Sequence, residues 1–171
     1  MKSPQAILIA LVLPFSAAMA EEFDWAKYDT SKVEWSDADS GKIDGVPFRL
    51  ANVDAPETGE IGSAHGAQCE AEQDYGILYR RKMRELTRRR VVTVSKDYGA
   101  DPYNRRVVDL IVNLYDLDYD VGAFAMQQGW LKAWPHEGHK ALAPKPDWCS
   151  FLSLPAVHKQ FDDPPIELLA K

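Results

Sequence analysis

The sequence predicts a mainly β protein with helices, built as a small five-stranded Greek-key barrel with one long and one short helix. Three observations support this prediction. Short strand-like runs separated by turn signals open the chain, one long amphipathic segment follows, and two more strand-like runs precede a short helical segment. Short strands interrupted by a single long helix suit a barrel of the OB type better than a parallel sheet with crossovers.

The strands are predicted from β-branched and aromatic runs bounded by turn residues. Residues 45–47, Gly-Val-Pro, mark a turn, and residues 98–104 and the acidic residues 116–120 are predicted to be a loop and a turn. The predicted strands are, in chain order, 33–35, 42–44, 48–53, 91–94 and 105–114.

The helices are predicted from apolar spacing. Residues 67–86 carry apolar side chains at helical intervals with charge on the other face. Residues 121–128 form a shorter helix that Gly129 ends. Beyond residue 134 six prolines favour an irregular tail.

The first twenty residues have the composition of a secretory signal. Lys2 gives a charged start, residues 6–15 form a short apolar run, and residues 18–20 match a small-x-small cleavage site. Because a membrane span needs about 20 apolar residues, this run is too short to be one. We therefore expect a mature, monomeric protein that begins at Glu21, has no membrane anchor, and is periplasmic or secreted.

The acidic composition restricts the ways in which the chain could bind a polyanion. It carries 20 Lys and Arg against 26 Asp and Glu, a formal net charge of −6, and loss of Lys2 with the signal makes this −7. Binding of nucleic acid would therefore depend on a local basic surface and a bound metal. Residues 80–90 are rich in arginine, although such helix surfaces are commonly solvated and paired with neighbouring acids.

Cys69 and Cys149 are the two cysteines of the chain, and their spacing matches no zinc motif. In an oxidising compartment two thiols commonly pair. Closing a loop of about 80 residues adds roughly 4 kcal/mol of stability by the chain-entropy argument. We expect a disulfide between them.

The most informative stretch is residues 48–57, FRLANVDAPE. A strand-like run ends there in two carboxylates, Asp54 and Glu57, around Pro56, with Arg49 upstream. Carboxylates are hard oxygen ligands for Ca²⁺ or Mg²⁺, and a guanidinium group matches the geometry of phosphate oxygens. The stretch predicts a site for a cation and a phosphate.

Strand alternation makes a structural demand on this stretch. On a regular strand Arg49 and Asp54 would face opposite sides. A bulge near Asn52, or departure of the chain from the sheet at Val53, would bring both to one side. We expect one of these irregularities.

Two further segments could complete the site. If the sheet brings Asp39 beside Asp54, two carboxylates and a backbone carbonyl could hold one hard cation, although Asp-x-Asp-Ser at 37–40 is also common as a solvated turn. Arg105 opens a strand after residues 102–104 and could face the Asp54 loop, where a second arginine helps to hold a phosphodiester. An Arg-Arg pair at a strand end is also commonly just solvated.

Together these segments resemble the staphylococcal nuclease (thermonuclease) family, whose pattern is Asp-Gly-Asp-Thr, then Arg-Leu-x-x-x-Asp-x-Pro-Glu, then Tyr-Gly-Arg. The matching text is DADS at 37–40, RLANVDAPE at 49–57 and YNR at 103–105, and Gln128-Gly129 also recurs. The likeness spans residues 33–134 with the order and spacing of its elements kept. It implies an OB-type barrel, one Ca²⁺ ion, and hydrolysis of phosphodiester bonds in DNA and RNA.

The resemblance also implies roles for the matching positions. The catalytic groups would be two phosphate-binding arginines and a base that activates water, namely Arg49, Arg105 and Glu57. The calcium ligands would be two side chains and one carbonyl group, namely Asp39, Asp54 and the main chain of Ala55.

Four positions depart from the family pattern. Ala38 replaces a glycine and would be strained if its φ must be positive, whereas Asn104 replaces a second glycine with a residue that tolerates the left-handed region. Ser40 replaces threonine and keeps the hydroxyl group. Pro102 stands where the staphylococcal protein has a phosphate-holding lysine, so weaker binding of a terminal phosphate is expected.

Aromatic residues near the motifs could stack on nucleobases. Of Trp130, Trp134 and Trp148, Trp134 is the best candidate, and Tyr103 is favoured further because it lies beside Arg105. Tryptophans at such positions also commonly close a core or anchor a tail.

We hypothesise that residues 21–149 form an exported, calcium-dependent nuclease with little sequence preference, followed by a tail at 150–171. A barrel that binds nucleic acid or another polyanion without cutting it is the rival, favoured by the altered Asp-Ala-Asp turn and the acidic net charge. A structural calcium site in a protein-interaction module is a third interpretation. Glu57 favours the enzyme, because a binding site needs no base beside its metal.

Overall fold

The structure is a computed structural model that describes residues 23–152 of the 171-residue chain. The predicted signal at 1–20 and most of the predicted tail at 150–171 lie outside the described residues. A short 3-10 helix, Trp25–Lys27, precedes the first strand. The strands are β1 (Val33–Trp35), β2 (Ser40–Ile43), β3 (Val46–Leu50), β4 (Val53–Asp54), β5 (Val92–Ala100), β6 (Arg106–Leu114), β7 (Leu117–Asp120), β8 (Lys132–Ala133), β9 (His136–Glu137) and β10 (Lys140–Ala141). The helices are α1 (Glu70–Thr87), α2 (Val121–Gln127) and α3 (Trp148–Leu152).

The main sheet is mixed and has the order β1-β2-β3-β6-β5, with β7 paired to β6. Its neighbours are antiparallel except β3 and β6, which are parallel. The strand ladder does not close, since β1 and β5 lie at its two ends. At this gap the N–H of Val92 donates to the carbonyl oxygen of Thr30 at 3.2 Å. The prediction of a mainly β, OB-like fold with helices is confirmed, and the sheet is an open path of six strands.

Several predicted loops carry regular structure. β5 continues to Ala100, and residues 117–120 form β7 because Tyr115 and Asp116, with φ of 54° and 64°, make the tight turn before it. The region after residue 134 contains the β9–β10 hairpin, and α3 is a third helix that the sequence did not predict. Among the described residues, no helix is long and apolar enough to cross a membrane.

The core lies between the main sheet and α1. Phe48 and Leu50 are buried and Arg49 is only partly buried, as strand alternation predicts. Helix α1 contributes Tyr79 and other apolar side chains at helical spacing.

The chain breaks regular alternation between β3 and β4. Residues 51–52 form a turn in which Asn52 has φ 58°, and β4 then pairs with β8 in a separate two-stranded sheet. Asparagine adopts the left-handed region more readily than most residues. The expected departure from the sheet therefore occurs, and it brings Asp54 to the same side as Arg49.

Cys69 and Cys149 form a disulfide with Cα atoms 6.1 Å apart. Cys69 is the N-cap of α1, and Cys149 lies in α3. The bond therefore ties the segment around α3 to the start of the long helix.

Candidate active site

Arg49 lies between two buried carboxylates. Ser40 of β2 pairs with Arg49 of β3, so Asp39 stands beside it, and the Arg49 Nη1 atom is 3.0 Å from Asp39 Oδ2. The Arg49 Nη2 atom is 3.8 Å from Asp54 Oδ1 and donates to the carbonyl oxygen of Val53 at 3.0 Å. One guanidinium group thus links the first and second motifs.

The turn before β2 is held by main-chain hydrogen bonds and by the side chain of Thr58. The N–H groups of Ser36 and Asp37 donate to the carbonyl oxygen of Ser40, and Thr58 Oγ1 donates to Asp37 Oδ1 at 2.6 Å. Ala38 is buried, and it is not among the residues with positive φ. The alanine therefore causes no left-handed backbone strain. The turn places Asp39 beside Arg49.

Helix α1 positions the loop that carries Glu57. The buried Glu72 accepts hydrogen bonds from the N–H groups of Glu57 (3.3 Å) and Gln68 (2.7 Å). Gly76 lies under the same loop, where a Cβ atom would be 2.5 Å from the carbonyl oxygen of Glu57 and 2.7 Å from that of Pro56. Only glycine leaves room for the backbone to pass this close to the helix.

Lys145 reaches the site from the segment before α3. Its Nζ atom is 2.5 Å from Glu57 Oε1 and 3.7 Å from Asp54 Oδ1. No sequence pattern points to this residue, which is 88 positions from Glu57. The one available signal was Cys149, four residues further on, since a disulfide to Cys69 brings this segment to the start of α1.

Trp148 belongs to the support of the site. Its side chain is buried, and its indole N–H donates to Asp54 Oδ2 at 2.8 Å. Trp130 is also buried. The suggestion that these two tryptophans stack on bases is therefore wrong, because neither ring is accessible.

Arg105 lies near the same cluster and is held by Asp101, whose carboxylate is 2.7 Å from Arg105 Nη2 and accepts from Nε at 2.8 Å. Burial raises the pKa of Asp39, and the positive charge of Arg105 is one of the influences that oppose this rise. Asn104 has φ 61°, as expected for a residue that replaces glycine. Arg106 instead pairs with Asp97 at 2.6 Å and supports the sheet.

Two aromatic side chains flank the arginines. Tyr103 is 70 % exposed and lies 5.3 Å from the Arg105 guanidinium carbon, measured to the ring centroid. Trp134 is partly buried, with its ring centroid 5.5 Å from the Arg49 guanidinium carbon. Both remain candidates for contact with a base, one on each side of the cluster.

The arginine-rich stretch on α1 has structural partners. Arg80 and Arg84 donate to the carbonyl oxygens of Ser36 and Trp35 at the end of β1. Arg90 donates to the carbonyl oxygens of Glu85 and Leu86 near the end of α1. These contacts indicate that the three arginines support the fold, and they do not favour a surface that binds nucleic acid.

Burial dominates the electrostatics of the carboxylates. It raises the pKa of Asp54 to about 6 against the hydrogen bond from Trp148 and the charges of Lys145 and Arg49. It also raises the pKa of Asp39 and of Glu57, with Arg49 and Lys145 respectively as the leading opposing influences. Groups of this kind, desolvated and tied to specific cations, are typical of functional sites.

The donor set fits a hard divalent cation. Asp39 and Asp54 are both buried, both face the Arg49 guanidinium group, and offer only oxygen atoms, which Ca²⁺ prefers. Ala55 is buried and follows Asp54 directly. Across residues 23–152 no group of three or more His, Cys, Asp or Glu side chains is placed to hold a metal. A cation here would therefore use two carboxylates, with carbonyl groups or water as further ligands.

Fold and geometry together define a small OB-like domain with a cluster suited to a cation and a phosphate. A family model described as staphylococcal nuclease homologue matches residues 47–141, more than half of the chain. The chain belongs to this family, a nuclease-like class of proteins. A search of curated proteins finds no match.

Proposed function

We propose that the protein is an exported, calcium-dependent nuclease that hydrolyses phosphodiester bonds of DNA, RNA or both with little sequence preference. Membership of the nuclease family supports the general class. A disulfide between Cys69 and Cys149 is in keeping with an oxidising compartment outside the cytoplasm.

The observation that carries the proposal is the linkage of the motif residues through shared cations. Arg49 contacts both Asp39 and Asp54, and Lys145 contacts both Asp54 and Glu57. Three carboxylates from two separate motifs are therefore connected through two cationic side chains. Asp39 and Asp54 are only 5 % and 2 % exposed. Burying a carboxylate is costly, and the carboxylates of a solvated turn would stay in water.

The proposed calcium site consists of the side chains of Asp39 and Asp54 with the carbonyl group of Ala55. A bound Ca²⁺ ion would withdraw charge from a phosphate oxygen and make phosphorus more electrophilic. Arg49 and Arg105 would donate hydrogen bonds to the phosphoryl oxygens, and these bonds strengthen as negative charge builds in the transition state.

Glu57 is the proposed general base. Its carboxylate would accept a proton from water while the water oxygen forms a bond to phosphorus and the opposite P–O ester bond breaks. The departing alkoxide oxygen then takes up a proton from solvent. The raised pKa of Glu57 makes the carboxylate a stronger base than one free in water.

A barrel that binds a polyanion without cutting it is the second candidate. The observation that favours it is the ion pair between Lys145 and Glu57, because a base held by an ammonium group is less available to water.

Cleavage assays separate the two candidates. The purified protein should cut DNA or RNA with Ca²⁺ and not with a chelator, and Glu57→Gln and Arg105→Ala should each lower kcat by about 10²–10³. The exposed Glu60→Gln and Arg81→Ala are matched controls that should keep near-normal rates. Absence of calcium-dependent cleavage across pH would refute the enzyme, and a fully active Glu57→Gln variant would refute the role of that residue.

Export can be tested separately. Expression of the whole chain in a bacterium, followed by fractionation and N-terminal sequencing, should give a periplasmic or secreted product that starts at Glu21. A product that keeps residue 1 and stays in the cytoplasm would refute this part of the proposal.

A further inference from the structure

Lys145 is held beside the carboxylates by a strap, which we define as residues 144–149. Its Nζ atom lies 2.5 Å from Glu57 Oε1 and 3.7 Å from Asp54 Oδ1. Its side chain is 36 % exposed, against 70 % and 62 % for Lys27 and Lys32, two lysines that form ion pairs elsewhere in the described residues. An ammonium group therefore stands where the acids converge.

The strap is anchored just beyond this lysine. The Lys132 Nζ atom donates to the carbonyl oxygen of Asp147 at 3.0 Å, Trp148 donates to Asp54, and Cys149 is bonded to Cys69. The sequence also indicates a restricted backbone, because Lys145 stands between two prolines. Proline fixes its own φ and restricts the residue before it, so the backbone at Lys145 has few alternatives.

We propose that Lys145 is an internal counter-ion that competes with a divalent cation for Asp54 and keeps Glu57 paired while no cation is bound. This inference rests on the proposed function, which assigns Asp54 as a cation ligand and Glu57 as the base. Two positive groups that contact the same carboxylate repel each other, as an ammonium group and a divalent cation on Asp54 would. The ammonium group also already neutralises part of the acidic charge. Lys145 therefore opposes cation binding until its ammonium group moves away from Asp54, and the affinity for the cation is lower than it would be without this lysine.

Displacement also frees the base. With its Nζ atom on Glu57, Lys145 keeps that carboxylate paired until a cation arrives. The lysine then becomes available to a phosphate oxygen. Lys145 is thus the residue that sets how much cation is needed before cleavage starts.

The test is calorimetric titration of the whole protein with CaCl₂ alone, without nucleic acid. Lys145→Gln should bind Ca²⁺ at least about tenfold more tightly than wild type, which corresponds to about 1.4 kcal/mol. Lys145→Arg keeps the charge and should stay close to wild type. Lys140→Gln, an exposed lysine of the β9–β10 hairpin, makes the same charge change and should leave the affinity unchanged.

The outcomes separate this inference from the proposed function. Equal or weaker calcium binding by Lys145→Gln, with calcium-dependent cleavage intact in wild type, would overturn the inference alone. Tighter binding with no cleavage by either protein would support the inference and refute the nuclease. Absence of calcium binding by both proteins would overturn the inference and also the calcium part of the proposed function.

Discussion

Asp54→Asn should stabilise the fold at neutral pH while removing cation binding. The carboxyl group of Asp54 is 2 % exposed, and its neighbours are Asp39, which opposes its ionisation, and Arg49 and Lys145, which favour it. Asparagine keeps the shape of the side chain and an oxygen that can accept from Trp148. The substitution therefore removes the charge with little change in packing.

The magnitude follows from the pKa of Asp54, which burial raises from 3.8 to about 6. A shift of this size corresponds to about 3 kcal/mol at 1.36 kcal/mol for each pH unit. Because the folded protein binds this proton more tightly than the unfolded chain, the stabilising contribution is present below about pH 4 and is lost as pH rises through 6. The variant cannot ionise here, so above pH 7 it should be more stable than wild type by up to about 3 kcal/mol.

Urea unfolding of both proteins in chelator, from pH 4 to pH 8, measures this difference directly. Burial, the leading cause of the raised pKa of Asp39 and of Glu57, acts on both proteins, so that part of their contribution cancels in the comparison. Adding Ca²⁺ at about 100 times its Kd should return about 2.7 kcal/mol to wild type and nothing to the variant. Asp74→Asn, at an exposed position of α1, is the control for the removal of one negative charge.

A stability difference that does not change with pH would refute the reasoning, since it would mean that burial of Asp54 imposes no cost on the charge. A variant that is less stable than wild type at pH 8 would refute it as well. That result would mean that the ion pairs to Arg49 and Lys145 outweigh the desolvation of the carboxylate.

Three further predictions concern the support of the site. Gly76→Ala should lower kcat by at least about tenfold in cleavage assays with little loss of helix content, because its Cβ atom would lie 2.5 Å from the carbonyl oxygen of Glu57; full activity would mean that the loop can move without cost. Replacing Cys69 and Cys149 together by serine should cost roughly 4 kcal/mol in urea unfolding, and a loss below about 1 kcal/mol would contradict the chain-entropy argument. Trp134→Ala should raise KM for single-stranded oligonucleotides by about 5- to 150-fold, which corresponds to 1–3 kcal/mol of stacking, with kcat nearly unchanged; an unchanged KM would remove Trp134 from the substrate site.

The sequence predicted those parts of the fold that depend on local periodicity. Alternation placed Phe48 in the core and Arg49 at the surface of β3, and the same alternation required the break that occurs at Asn52. Helix α1 was predicted from apolar spacing, and the structure starts it at residue 70 rather than 67 because Cys69 serves as the N-cap. These features follow from neighbours within a few residues.

Other features depend on contacts between distant segments and could not be predicted in this way. The sequence of β7 is typical of an acidic turn. The segment forms a strand because it pairs with β6 after the left-handed turn at residues 115–116. Trp148 carries no local sign that its indole N–H donates to Asp54, 94 residues away. Lys145 was missed for the same reason, because the strap reaches Glu57 only through the fold and the disulfide.

The charges of the site suggest how an acidic protein could act on a polyanion. The cluster has no excess of positive charge, because four acids, Asp39, Asp54, Glu57 and Asp101, stand against three cations, Arg49, Arg105 and Lys145. The chain as a whole is acidic and repels nucleic acid at long range, so this cluster alone offers a phosphate little attraction. A divalent cation would change this charge, because it would add two positive charges and, on our proposal, release Lys145 from the acids. We therefore expect the cation to act before the substrate, as the group that makes the site locally positive, and nucleic-acid binding to depend on it even in a variant whose base has been removed.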